Sequence, residues 1–301
     1  MDRSQLSRYA WLSIGAAIAT IALKTLAYLL TGSVGLLSDA LESIVNLLGA
    51  IIALNILILA AKPADSEHNF GHSKAEYFSS AAEGLLILIA SLSIGYTAIQ
   101  RLIHPQPIEQ APIGLLVSTI ASVINFIVSR ILSTAGNKYQ SITLEADARH
   151  LMTDVYTSIG VILGVTAVAI TGWKIIDPII ALIVAANILW SAYQLLHRSA
   201  MGFMDTALSA NDQKLIEQVL EKYKTEGVDF HALKTSQAAG RRFISVHILV
   251  PGKWSTHKSH HIAEEFESDI RSSLKNSTIF THLEPVDDPI SYQDMDIDRK
   301  Y

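Results

Sequence analysis

Six long apolar blocks fill the first two thirds of the chain, and each carries almost no charge. They run over residues 10–30, 36–61, 77–103, 112–135, 143–171 and 175–197, and each is long enough for the roughly 20 residues a membrane-spanning helix needs. With 50% of its residues hydrophobic and 17% charged, a chain patterned this way is expected to be a polytopic membrane protein. The first block follows Arg3 and Arg8 but contains Lys24 and ends in "TGSVG". It is too long for a signal-peptide core and lacks a small-residue cleavage site, so it reads as a retained first helix. Loop cations fall on one side: Arg3, Arg8, Lys62, Lys74, Arg130, Lys138 and Arg198 against Arg101 and Lys174. That bias predicts both termini in the cytoplasm of a cell whose inner membrane the chain crosses.

From about Met204 the pattern changes. "SANDQKLIEQVLEKY" has helical periodicity, "FHALKTSQA" and "RRFISVHILV" alternate as strands do, "THKSHHIAEEFESDIRSSLK" is an amphipathic helix, and "IFTHLEP" is a last strand. The expected architecture is a six-helix membrane domain over 1–203, a small cytoplasmic α+β domain of αββαβ order over 204–288, and an acidic tail over 289–301. The chain has no cysteine, which removes disulfides and thiolate metal sites. A net charge of −5 without basic runs argues against a nucleic-acid partner.

Ionisable groups within apolar helices are costly, roughly 2.5–3.5 kcal/mol each on insertion scales, and are functional candidates by default. Helix 2 offers Asp39, Glu42 and Asn46, and helix 5 offers Asp147, His150 and Asp154. Glu42 and Asn46 are four residues apart, as are His150 and Asp154, so each pair projects from one helix face. Opposed, the two faces supply one imidazole nitrogen and three oxygens, a donor set suited to a divalent first-row metal. Other readings of the same residues are a capping box at Asp39 and Glu42, interhelical hydrogen bonding by Asn46, and a structural His150–Asp154 pair. Asp65, His68 and His72 form a second cluster after helix 2, which is either a metal site or a polar turn. Six of the eleven histidines, His231, His247, His257, His260, His261 and His282, lie between positions 231 and 282, and they are either one or two metal sites, with Glu284 adding a carboxylate, or scattered surface histidines.

Taken together, "TGSVGLLSDALES", "HNFGHSKAEYF", "EADARHLMTD", "DPIIALIVA", "FMDTALS", "FISVHI" and "THLEP" resemble the cation diffusion facilitator family, in particular its bacterial dimeric zinc- and iron-transporting members. The resemblance covers nearly the whole chain. It implies a transport site of Glu42, Asn46, His150 and Asp154, an interfacial site of Asp65, His68 and His72, and a cytoplasmic site of His231, His247, His260 and His282 with Glu284. It also implies a homodimer locked by a Lys74–Asp205 charge pair and exchange of a divalent metal ion for protons by alternating access. Helix 2 departs from the family pattern, since most relatives carry aspartate where this chain has Asn46. Zinc is the first expectation, with iron(II), manganese(II) and cobalt(II) open. His150 and Asp154 are the expected proton carriers, because protons and metal compete for the same donor atoms. The chain has neither a phosphate-binding loop nor an H-E-x-x-H motif, so a secondary transporter is expected in preference to an ATP-driven pump or a metallohydrolase. A passive divalent channel and a non-transporting metal sensor are the rival readings.

Overall fold

The computed structural model describes residues 6–31, 34–104, 112–173, 175–224 and 227–293. The side chains of residues 30, 31, 34–42, 45, 112–114, 165 and 169 lie outside that description. The chain forms two compact units that divide between Ala200 and Met201.

The first unit is built of long helices: α1 (Ser7–Thr31), α2 (Val34–Ala60), α3 (Ala75–Ile103), α4 (Pro112–Tyr139), α5 (Ile142–Thr171) and α6 (Ile176–Phe203). The shortest has 25 residues, or about 37 Å at 1.5 Å per residue, enough to cross a hydrocarbon layer about 30 Å thick. Among the described residues five of these helices are long and apolar enough to cross a membrane, and α2 is apolar from Asn46 to Ala60. Local chemistry sets the ends. Pro112 opens α4, where its missing N–H is not needed. Ser141 caps α5, its hydroxyl accepting from the Leu144 amide at 3.5 Å. Gly172 closes α5 with φ +74°, a conformation glycine adopts without steric cost.

The distribution of polarity is inverted relative to a water-soluble protein. Leu29, Ile89, Ile170 and Ile183 are exposed, whereas Ser13, Asn46, Glu83, Asn125, Asp147 and His150 are buried. Lipid solvates the apolar exterior, so polar groups gain by turning inward toward one another. Two apolar cores result. One joins α1, α2, α4 and α5 through residues such as Ile14, Leu54, Leu132 and Leu151; the other joins α3, α5 and α6 through Ile87, Ile142, Ile188 and Leu195. Small residues allow close helix approach: a Cβ at Gly160 would lie 2.9 Å from Val184, and one at Gly164 would lie 2.5 Å from Asp177. At one end Glu76 of α3 ties down the start of α5, accepting from the Ser141 hydroxyl at 2.5 Å and the Thr143 amide at 3.4 Å.

In the second unit the order is α7 (Ala210–Lys224), β1 (Asp229–Ala238), β2 (Arg241–Val250), α8 (Thr256–Ser273) and β3 (Ser277–Pro285). This is the expected αββαβ succession. Strand β2 is central, antiparallel to β1 and parallel to β3. Its alternation turns Ile244, Val246 and Ile248 into the core with Ile216, Phe266 and Ile270 and leaves His247 on the opposite face. Pro289–Tyr292, at the start of the segment expected as a tail, form one 3-10 turn. The Ser291 hydroxyl in that turn donates to the Pro285 carbonyl at 2.8 Å.

Candidate functional site

The membrane cluster is assembled by α2, α4 and α5. Asn46, His150 and Asp154, paired in sequence only by their spacing, meet in space. Asn46 Nδ2 donates to Asp154 Oδ2 at 2.5 Å, and Asn46 Oδ1 lies 2.6 Å from His150 Nε2. Asn125 of α4, which spacing did not reveal, donates to the same Asp154 oxygen at 2.9 Å. Asn46 is 7% exposed and His150 8%. A second residue also escaped the sequence reading: Glu83 of α3, 2% exposed, places Oε2 at 2.6 Å from His150 Nδ1. Both ring nitrogens of His150 therefore face oxygen. Glu42 stands one turn before Asn46 in α2, but its side chain, like that of Asp39, lies outside the described residues. Asp147, one turn before His150, hydrogen-bonds toward α1 instead, where it accepts from the Ser13 hydroxyl at 3.0 Å.

The cluster lines one end of a cavity of about 570 Å³ that extends between α3, α5 and α6 to Arg101 and Asp177. Those two residues pair at 3.3 Å, at the end of α3 and the start of α6. The cavity thus brings a buried imidazole, a carboxylate and a carboxamide together on one wall, a donor set suited to a divalent ion.

Asp65, His68 and His72 converge in the loop between α2 and α3, with one ligand atom from each lying within 4.8 Å of the others. His72 Nε2 is 3.3 Å and His68 Nδ1 3.4 Å from the Asp65 carboxylate. The His68 amide, followed by that of Glu67, holds the Asp65 carboxyl below its ordinary 3.8. A carboxyl depressed in this way stays ionised throughout the neutral range, as a metal ligand must.

In the second unit strand register makes the cluster. His231 of β1 and His282 of β3 are both cross-strand partners of His247. Glu284, two residues beyond His282, therefore shares their face. His231 Nε2 and His247 Nδ1 lie 2.8 and 3.3 Å from Glu284 Oε2, and His282 Nε2 lies 3.5 Å from Oε1. This donor set of imidazoles and a carboxylate fits a divalent ion. His260, expected with them, is exposed on α8 beside His261 and is not one of the converging group. Lys74 and Asp205 belong to different units; within its own, Asp205 accepts from the Ser236 hydroxyl at 2.7 Å.

Known proteins agree with this division. Residues 10–203 match the cation efflux transmembrane domain, and residues 208–286 match the cytoplasmic domain of cation efflux proteins. An uncharacterised transporter of Synechocystis sp. is 50% identical over 288 residues, covering 96% of this chain and 93% of its own. The cation-efflux pump FieF of Salmonella arizonae is 30% identical over 281 residues, 93% of each chain. FieF of Shewanella oneidensis is 27% identical over 274 residues, 91% of this chain and 92% of its own. The resemblance carried by the motifs of helices 2 and 5 thus extends through both units, and the chain belongs to the cation diffusion facilitator family, as a multi-pass cation-efflux transporter.

Proposed function

We propose that this protein exports a divalent transition-metal ion, zinc before iron(II), manganese(II) or cobalt(II), from the cytoplasm in exchange for protons. The observation that carries the reading is the convergence of Asn46, His150 and Asp154 at the end of the cavity. Glu42, one turn before Asn46, completes the four-residue site. With the termini in the cytoplasm, the Arg101–Asp177 end is external, so the cavity corresponds to an outward-open site. His150, with an oxygen 2.6 Å from each ring nitrogen, sits where a doubly protonated imidazole is accommodated. A metal ion arriving on Nε2 displaces that proton, and protonation from outside releases the metal. Rocking of α2 and α5, as part of a packed bundle about the fixed site, would alternate access. The working form is a homodimer in the inner membrane, with residues 1–203 transporting, 204–288 cytoplasmic and 289–301 a tail. Lys74 and Asp205 form its charge lock, Asp65, His68 and His72 the interfacial site, and His231, His247, His282 and Glu284 the regulatory site.

Zinc flux into vesicles holding the purified chain, with and without an imposed pH gradient, tests this. Gradient-dependent uptake is expected. Flux indifferent to the gradient would make the protein a channel, and retained binding without flux would make it a sensor. In the same assay, run over zinc, iron, manganese, cobalt and cadmium, Asn46→Asp is expected to change the order of preference, because it exchanges a neutral amide oxygen for an anionic one. Independently, His247→Ala removes the central imidazole of the cytoplasmic cluster. Zinc affinity there, measured by calorimetry on the full chain, is expected to fall at least about tenfold; an unchanged isotherm excludes the assignment.

A further inference from the structure

Glu83 is a buried carboxylate that the transport site as read above does not use. It stands on α3, in the apolar interior, where an ionised group is expensive to maintain. Its Oε2 faces His150 Nδ1 at 2.6 Å. The contact is out of line for a hydrogen bond, and neither atom has another polar partner. Two buried polar atoms thus lie against one another without a hydrogen bond from elsewhere, on the nitrogen of the imidazole that does not face Asn46. Space for this carboxylate is made by a third helix. Gly49 of α2 packs against it so closely that a Cβ there would lie 2.5 Å from Glu83 Oε1. Asn46, which faces Nε2 of the same ring, is three residues earlier on α2. One helix face thus provides a polar group on one side of His150 and an absent side chain on the other.

A histidine that binds a metal through one nitrogen is regularly oriented by an acceptor on the other, which fixes the ring and strengthens its donation. We propose that Glu83 is the positioning residue of the transport site: a small turn of the ring brings the His150 Nδ1–H into line with the carboxylate 2.6 Å away, which accepts that hydrogen bond and so presents Nε2 to the metal, with Gly49 leaving room for the carboxylate. The inference rests on the reading of Asn46, His150 and Asp154 as that site. The alternative role, an ion pair that merely fastens α3 to α5, would affect stability and leave metal affinity alone.

The test uses the full-length chain in lipid nanodiscs, in a background with Asp65, His68, His231 and His247 changed to alanine so that zinc titrates only the membrane site. Asp154→Asn in this background, which keeps the amide bonds and removes only the charge, must weaken zinc binding at least about 100-fold. If it does not, or if the background itself binds no zinc, the site reading fails and the role of Glu83 falls with it. Given that control, Glu83→Ala is expected to weaken zinc binding about 100-fold and Glu83→Gln about tenfold, since a carboxamide oxygen still accepts from Nδ1–H. In vesicles the loss is expected in KM for zinc, with the maximal rate held within about threefold. Gly49→Ala is expected to weaken binding at least tenfold alone and to add nothing to Glu83→Ala, because the group it displaces is then gone. Binding by Glu83→Ala within twofold of the background overturns the proposal. So does a Gly49→Ala penalty that persists in the double variant. Should Glu83→Ala not fold, Glu83→Gln and Gly49→Ala decide by the same criteria.

Discussion

Asp154→Asn is expected to reduce zinc transport by two orders of magnitude or more while leaving the chain folded in the membrane. Altering an outer partner of a metal ligand costs about 10–100-fold, so removing a ligand's charge costs no less. Asp154 receives two amide donors on one oxygen, Asn46 Nδ2 at 2.5 Å and Asn125 Nδ2 at 2.9 Å. In the asparagine variant the carbonyl oxygen still accepts one or both of these bonds, and what is lost is the anion that faces the metal. Asp154→Ala differs in kind, because it leaves two amide donors without their acceptor at about 1–3 kcal/mol each and so adds a folding defect to the transport defect. Initial uptake rates in vesicles, normalised to inserted protein, separate the two effects. Transport by Asp154→Asn within tenfold of the unaltered chain would remove this residue from the site.

The largest stability effect is expected in the other unit, at Phe266. Its side chain is fully buried, edge-on to Tyr223 at a centroid distance of 5.8 Å and tilted against Phe230 at 5.1 Å. It thus joins α8 to α7 and to β1. Phe266→Ala removes that junction and leaves a cavity, at about 3–5 kcal/mol. A domain of this size has a margin of roughly 5–15 kcal/mol, so the loss takes a large share of it. Hydrogen exchange at the β2 amides is the measurement, and protection there is expected to fall about 10²–10³-fold. Zinc binding by His231, His247 and Glu284 should weaken in parallel, since the strand register that unites them depends on this packing. Unchanged protection would show that the helices are held without the aromatic cluster.

Three of the five described members of the membrane cluster, Asn46, His150 and Asp154, were legible in the sequence because their signal is local. His150 and Asp154 are one turn apart on α5, and that spacing alone puts them on one face. Glu83 and Asn125 were missed although the same rule applied, since each is a polar residue in an apolar helix, at "AAEGLL" and "VINFIV". Glu83 also falls seven residues after Glu76, two turns along the same face of α3. What no spacing reveals is which face of α3 or α4 meets α5. Asp147 makes the point from the other side: it lies three residues from His150, yet it bonds to Ser13 of α1 and stays out of the cluster.

The cytoplasmic histidines divide in the same way. Period-two alternation in "FISVHI" settled that His247 leaves the core face of its strand. That His231 and His282 stand beside it is a matter of register, fixed by the irregularity after His231 on one side and the parallel pairing of β3 on the other. A shift of one residue would turn either imidazole to the opposite face. His260, on a neighbouring helix, had no such constraint and lies outside the group.

By itself the sequence determined that the chain enters a membrane through long helices and ends in an αββαβ domain, and it singled out helices 2 and 5 as carriers of ionisable groups. Those properties follow from apolar length and periodicity, which act within a few turns of chain. Only the tertiary structure decided that Glu83 and Asn125 join His150 and Asp154 while Asp147 does not. Buried polar groups must find partners wherever packing brings them, and helix packing is fixed by side-chain shape over distances at which sequence separation carries no information.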